Sequence, residues 1–599
     1  MNHPSPARSY RPHDAGLCAW VAVCVALIGG LHGCGEPSGI GPLTVQVMAP
    51  HHQDTILSGD TIVLRATVEG AVPRDGVTLE WATPWGRVIG RGDSTFGTLT
   101  DTGTYAVAVL ARRGAEVLAT DRVLVTVVPN GPPLLTLEPI PQPCFAYVTD
   151  TVRLIASATD PETSPTRIQW FSDRRGHIGE GDTLHWVPGA GAEGPHVISA
   201  RATDPQGNRD EELVMLRVLG GPLLKWARAY PSLLPGGACG GAVGDSWVLA
   251  LADDGTLVAG LFTYVTSTSP NTLWSLTPGG DMRWMRETYL QATEHWAGLV
   301  LAPDGRAFFA ANDGVLQSLS PDGVVQWSAN VFNRDWHGRL ALAPDGALYA
   351  SGAAPDRPGY HDLVRLDPET GDEVWRVSRA VASRSSLGIR PDGNLTQTAG
   401  QWALDVSPSG AIQRVDSTLD WFAYRHYAQS AIDARGYGYH PVQGLTALRP
   451  DHTTAWHAFV PAQEPVIGAD GAIYAASGTV LTKLLADGRT AWTAALPVVP
   501  PIAGVQSIIR MALLADGTLW VGSGRFLIRF WTGTGEIVEQ VELADQVSSG
   551  LAVAGDGTLY AVTGRNRIVA IVAGAPLDLA APWPIWRRDN RRTSSVPRP

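Results

Sequence analysis

The sequence predicts an all-β protein, two β-sandwiches followed by an eight-bladed β-propeller, and three observations carry the prediction. An Asp-Gly pair between apolar, β-rich runs returns through the C-terminal two-thirds, as in Leu-Ala-Pro-Asp304-Gly305-Arg-Ala-Phe-Phe and Ala-Asp516-Gly517-Thr-Leu-Trp. Such a pair is the strongest short hairpin signal, because glycine reaches positive φ without steric cost. The turn aspartates Asp254, Asp304, Asp345, Asp392, Asp433, Asp470, Asp516 and Asp556 are separated by 50, 41, 47, 41, 37, 46 and 40 residues, a period that suits four-stranded blades. Ahead of them, short alternating strands fall into two sets with no such phrase, the pattern of β-sandwiches.

Taken in order, residues 1–16 are polar with Arg8 and Arg11, and an apolar run follows from Leu17 to Leu31. The run is shorter than the roughly 20 residues of a membrane span and fits a secretory signal. It ends in Leu31-His32-Gly33-Cys34, which resembles the lipobox of bacterial lipoproteins. That resemblance implies a signal peptide over 1–33, an acylated (palmitate-bearing) Cys34 as the first mature residue, and a lipidated tether over 34–41. With Gly35 next, it also implies an outer-membrane address, on the cell surface or the periplasmic face. The acyl chains would hold the protein to a membrane surface.

Residues 42–129 carry the first set of strands, around Thr61-Ile-Val-Leu, Val77-Thr-Leu-Glu-Trp81 and Thr104-Tyr-Ala-Val. Asp101-Thr-Gly103-Thr-Tyr105 resembles the tyrosine corner of immunoglobulin-like domains, with Trp81 in the place of their buried tryptophan. The second set spans 134–220, where Ala156-Ser-Ala-Thr-Asp160-Pro-Glu162, Ile168-Gln-Trp170 and Ala200-Arg-Ala-Thr-Asp204 resemble bacterial immunoglobulin-like modules of the polycystic-kidney-disease (PKD) type. Asp160, Glu162 and Asp204 are either calcium ligands or turn-capping carboxylates, and the turn-capping role is the expectation. Once the signal is removed, Cys144 and Cys239 remain besides Cys34. A bridge between them would tie the second sandwich to the propeller.

The propeller is expected over 223–577, with a C-terminal tail at 578–599. Each Asp-Gly hairpin is followed by two strands ending in a tryptophan or its replacement: Trp284, Trp327, Trp375, Gln413, Trp456, Trp492 and Glu539. The last unit lacks such a strand, and Leu223-Leu-Lys-Trp226-Ala-Arg supplies it from the front of the region, as ring closure by strand exchange requires. Leu366-Asp367-Pro-Glu-Thr370-Gly371-Asp-Glu-Val-Trp375 resembles the docking motif of quinoprotein-type (PQQ-like) propellers, whose tryptophans pack between blades. Trp583-Pro-Ile-Trp586-Arg-Arg-Asp589 resembles a segment found at the edge of that family's domains. The resemblance covers about 223–593.

A net charge of −12 argues against nucleic acid, which needs a concentrated basic stripe. A working quinoprotein of this family would be expected to show adjacent cysteines, and the sequence has none. Nor does it contain Gly-x-Ser-x-Gly, His-Glu-x-x-His, a phosphate-binding glycine-rich loop or a metal-spaced Cys/His set. No catalytic residue, metal or cofactor is therefore expected. Just ahead of the expected innermost strands stand Asp245, His295, Trp296, Trp336, His337, Arg384, Arg425 and His426. Around the mouth of a channel they would form a funnel for a sugar, a peptide or an anion, though inter-blade packing and solvated loop tips would use the same residue types. The expected function is that of a non-catalytic, membrane-anchored lipoprotein whose propeller binds a protein or glycan at the cell surface. Two alternatives stay open: a periplasmic scaffold similar to the propeller lipoprotein of outer-membrane β-barrel assembly, and a calcium-dependent quinoprotein oxidoreductase.

Overall fold

The computed structural model describes residues 42–593 except 71–75, 141–143, 163–165, 231–245, 263–270, 289–297, 311–313, 334–338, 358, 380–384, 400–401, 417–429, 442–443, 498–508, 565–566, 586 and 590. Every regular element among the described residues is a β-strand, and none of them forms a helix long and apolar enough to cross a membrane. The chain divides into two units, 1–130 and 131–599.

In the first unit a three-stranded and a five-stranded sheet share one core around Leu64, Trp81, Val107 and Val125. Strand Gly103–Arg113 shows why the sheets face each other: Tyr105, Val107, Val109 and Ala111 are buried while the residues between them are not. Trp81 is fully buried and its indole N–H donates to Gly92 O at 3.1 Å. Tyr105 departs from the expected corner. Its hydroxyl has no hydrogen-bond partner among the described residues, and its ring instead meets Trp85 edge-on at 4.8 Å.

The second unit opens with another pair of sheets, of five and three strands, over a core containing Trp170, Ile198 and Val218. The Trp170 indole repeats the bond of Trp81, donating to Gly181 O at 2.8 Å. Cys144 is buried and disulfide-bonded, with its partner outside the described residues.

Eight four-stranded antiparallel sheets follow among the described residues. Their first strands are Ser246–Leu251, Gly298–Leu301, Arg339–Leu342, Ser385–Ile389, Ala431–Ile432, Val466–Ile467, Arg510–Leu513 and Val547–Val553. First strands of neighbouring sheets adjoin from the first sheet to the fourth and from the fifth to the eighth, and that of the eighth adjoins that of the first. The sheets therefore radiate from a central channel, as a β-propeller. Leu224–Ala229 pairs with Arg567–Val572 as the outermost strand of the eighth sheet, so the start and end of the region close the ring together. Second strands such as Ala307–Ala310 and Thr518–Ser523 are buried along their whole length. Sheets stacked on both sides bury both faces, which explains continuous small and apolar runs where alternation would otherwise be expected.

Each Asp-Gly turn joins a first strand to a second. The aspartate carboxylate accepts the N–H two residues on, for example Asp304 from Arg306 at 3.0 Å and Asp516 from Thr518 at 3.1 Å. The glycine takes a left-handed φ, 84° at Gly305.

Six tryptophans lock neighbouring sheets. Each reaches from an outermost strand to the turn between the third and fourth strands of the next sheet, lies on that turn's glycine and donates its indole N–H to a turn carbonyl. Trp284 lies on Gly323 and bonds Pro321 O at 2.7 Å, and Trp375 lies on Gly410 and bonds Pro408 O at 3.0 Å. Trp226 closes the ring in the same way, on Gly280 and Pro278 O. Where Glu539 replaces tryptophan, the Arg529 guanidinium covers Gly574 and stands 3.6 Å from the Glu539 carboxylate.

The paired sheets of the second unit are packed firmly against the propeller. Phe145, Tyr147 and Leu219 share a core with Trp520, Leu543 and Val547. Tyr147 Oη accepts the Ala544 N–H at 3.0 Å, Arg525 lies 3.4 Å over the Phe145 ring, and Asp150 pairs with Arg567 at 3.0 Å.

Candidate functional site: the propeller channel

Inner strands carry an inherent problem, since their channel-side N–H and C=O groups have no neighbouring strand to bond. The segment after the last sheet solves it. Ile467 N–H donates to Trp583 O at 2.8 Å, Leu513 N–H to Pro584 O at 2.8 Å, Leu301 N–H to Arg591 O at 2.9 Å and Leu342 N–H to Thr593 O at 3.0 Å. Within the stretch assigned from the sequence to a C-terminal tail at 578–599, the described residues between Trp583 and Thr593 lie across the channel ends of these inner strands.

Two arginines of this segment are almost completely buried, Arg587 at 2% exposure and Arg592 at 1%. Arg587 donates to Leu299 O at 3.1 Å and to Leu340 O, and Arg592 to Leu249 O at 2.7 Å and Leu551 O at 2.5 Å. Inner-strand carbonyls on several sheets are thus satisfied by charge-assisted bonds from one peptide. Asp589 holds the segment's own turn, accepting the Thr593 N–H at 3.0 Å and its hydroxyl at 2.6 Å. Burial pushes both guanidinia down to about 9, Arg587 further opposed by Arg339 and Arg592, while Asp589 works the other way on Arg592.

Further along the channel, Arg339 and Arg510 begin their inner strands and Glu464 precedes another. Glu464 pairs with Arg510, and its carboxyl is raised by burial against the pull of Arg510 and Arg339.

The direction of the channel follows from the strand order. The segment pairs with Ile467, Leu513, Leu301 and Leu342, which end their inner strands beside the Asp-Gly turns. The inner strands begin at the opposite end. Asp245, His295, Trp296, Trp336, His337, Arg384, Arg425 and His426 all lie outside the described residues, as does Cys34.

Among the described residues no three His, Cys, Asp or Glu side chains are grouped to hold a metal ion. Asp160 and Asp204 sit in turns, accepting the N–H of Glu162 at 3.0 Å and of Gln206 at 2.9 Å. The buried arginine pair was missed by sequence reasoning. Its only signal was the Trp-Pro-x-x-x-x-Asp spacing, which marks the segment without saying where it lies.

No protein-family model matches the sequence, and no curated protein matches it. Among solved structures, BamB from Moraxella catarrhalis is similar at 13% identity and a TM-score of 0.41, over 54% of this chain and 96% of that one. The Dos1 propeller is similar at 10% identity and a TM-score of 0.39, over 55% and 93%. The fibronectin(III)-like modules of Clostridium thermocellum CbhA are similar at 21% identity and a TM-score of 0.19, over 29% and 93%. The propeller assignment stands on the sheet arrangement itself.

Proposed function

We propose that this chain is a non-catalytic bacterial lipoprotein, anchored through Cys34 in the outer membrane, whose propeller binds a protein or glycan partner at the cell surface. In this reading the eight sheets are the blades of a PQQ-like propeller over 223–577. The paired sheets at 42–129 and 134–220 are immunoglobulin-like modules, the second of PKD type. The first serves as a spacer, and the second acts as a fixed base, consistent with its packing on Leu543, Ala544 and Arg567.

One observation carries the reading. The chain's own described residues between Trp583 and Thr593 occupy the channel at the Asp-Gly end. A partner is therefore left the opposite end, and the aromatic, histidine and arginine set named from the sequence is its proposed lining. Concave mouths rimmed by such residues suit sugars and peptides.

The test is the double variant Trp296→Ala/Trp336→Ala, applied with the parent protein to arrays of glycans and surface-protein peptides. Loss of the parent's binding with the fold intact by circular dichroism supports the funnel. Unchanged binding by the folded variant rejects it. Incorporation of labelled palmitate, lost on Cys34→Ser, tests the anchor.

A further inference from the structure

At the junction of the fourth and fifth sheets the aromatic lock is replaced on both sides. Gln413 stands where six sheets have tryptophan, and His452 stands where the facing turn has glycine. His452 keeps the left-handed backbone of that glycine, φ 64°. The imidazole turns inward and is 3% exposed. Its Nε2 lies 3.0 Å from Asp405 Oδ2, and Arg390 Nη1 lies 2.9 Å from the same oxygen and donates to Pro450 O at 3.0 Å. Arg390 and Asp405 are themselves 7% and 4% exposed. A sheet-to-sheet contact made elsewhere by an indole on a glycine is made here by three buried polar side chains.

These side chains do not fill the space. A small, partly open cavity remains, lined among others by Arg390, Thr396, Thr398, His440 and His452, on the scale of a single water molecule. Arg390 Nε, both ring nitrogens of His452 and Asp405 Oδ1 are all buried without a hydrogen-bond partner in the protein, Nε2 standing near Asp405 only as an ion-pair contact. Native structures rarely leave such atoms unpaired.

We propose that the cavity is a binding site for one ordered water that completes this junction. The water accepts from Arg390 Nε–H and donates to His452 Nδ1, the two unpaired atoms whose side chains line the cavity, with the His452 proton on Nε2 facing Asp405. The chemistry of the walls selects this occupant. An anion would stand near the Asp405 carboxylate that Arg390 and His452 already contact, a metal cation beside the Arg390 guanidinium, and an apolar group would leave Arg390 Nε and His452 Nδ1 unpaired.

Crystals of the mature chain, grown in chloride and again in bromide, test the proposal at high resolution. The expected result is one peak within hydrogen-bond distance of Arg390 Nε and His452 Nδ1 in both salts, with no anomalous signal in bromide. An anomalous bromide peak would overturn the assignment in favour of an anion. Side chains that meet directly, with no density between them, would overturn it altogether.

Discussion

Replacing Gly410 by alanine tests how the propeller is held together, because a second glycine provides an internal control. Gly410 has φ +88°, and a Cβ there would lie 2.9 Å from the Trp375 ring. Gly346 has φ +87°, and a Cβ there would meet nothing within 4 Å. Both substitutions incur the left-handed backbone cost of about 1–2 kcal/mol. Only Gly410→Ala must also lift the indole, losing its bond to Pro408 O, worth about 1 kcal/mol. Some of the packing of a half-buried tryptophan goes with it, adding roughly another 1 kcal/mol. Gly410→Ala should therefore cost about 2 kcal/mol more than Gly346→Ala. A chain of several units does not unfold in one step, so the readout is hydrogen exchange of strands Glu373–Arg379 and Trp402–Val406 in the folded protein. Protection there should fall about 30-fold further in Gly410→Ala. Combined with Trp375→Ala, the alanine should add little beyond its backbone cost, since the indole it displaces is already gone. Equal loss of protection in the two single variants would refute the claim that tryptophan on glycine locks the sheets.

Three further outcomes follow from other parts of the structure. Asp150→Ala leaves Arg567 buried without its carboxylate, and should destabilise the contact between the paired sheets and the propeller by about 3–5 kcal/mol, against about 1 kcal/mol for Tyr147→Phe; limited proteolysis near residues 219–224 reads the difference. Burial, aided by His452 and Arg390, pushes His440 down from 6.5 to about 3. Protons in that interval bind the unfolded chain in preference, so this contribution is present above pH 6.5 and is lost as pH falls toward 3, by up to about 1.4 kcal/mol per unit. Hydrogen-exchange protection of strand Gly438–His440, corrected for intrinsic exchange, should therefore fall less steeply with acid in His440→Gln. Finally, a non-reducing peptide map should recover Cys144 joined to Cys239, and recovery of Cys144 as a free thiol would exclude the bridge.

The local logic of the propeller was legible because it rests on short-range rules. Asp304-Gly305 announces its own turn: the carboxylate binds the N–H two residues on, and the glycine supplies the φ. The Trp226 strand was legible as the missing piece of the last sheet, because a repeat with one absent member points to its replacement. What failed to show is what depends on distant partners. Tyr147 and Ala544 are 397 residues apart, and no periodicity links them. The Trp583–Thr593 stretch looks like a polar, arginine-rich tail, since sequence cannot reveal that inner-strand carbonyls await those guanidinia. Gln413 was visible as a lost tryptophan, but its partner in substitution, His452, sits in a turn whose pairing with Asp405 only the fold creates. Tyr105 shows the converse, a motif present in sequence whose defining hydrogen bond the structure does not make.

The central claim is that the propeller faces outward to meet a partner, and protease shaving of intact cells tests it most directly. The propeller is followed by antibody beside a periplasmic control protein. The account predicts loss of the propeller signal while the control survives. Protection of the propeller until the outer membrane is opened would contradict it, and would place the protein among periplasmic scaffolds instead.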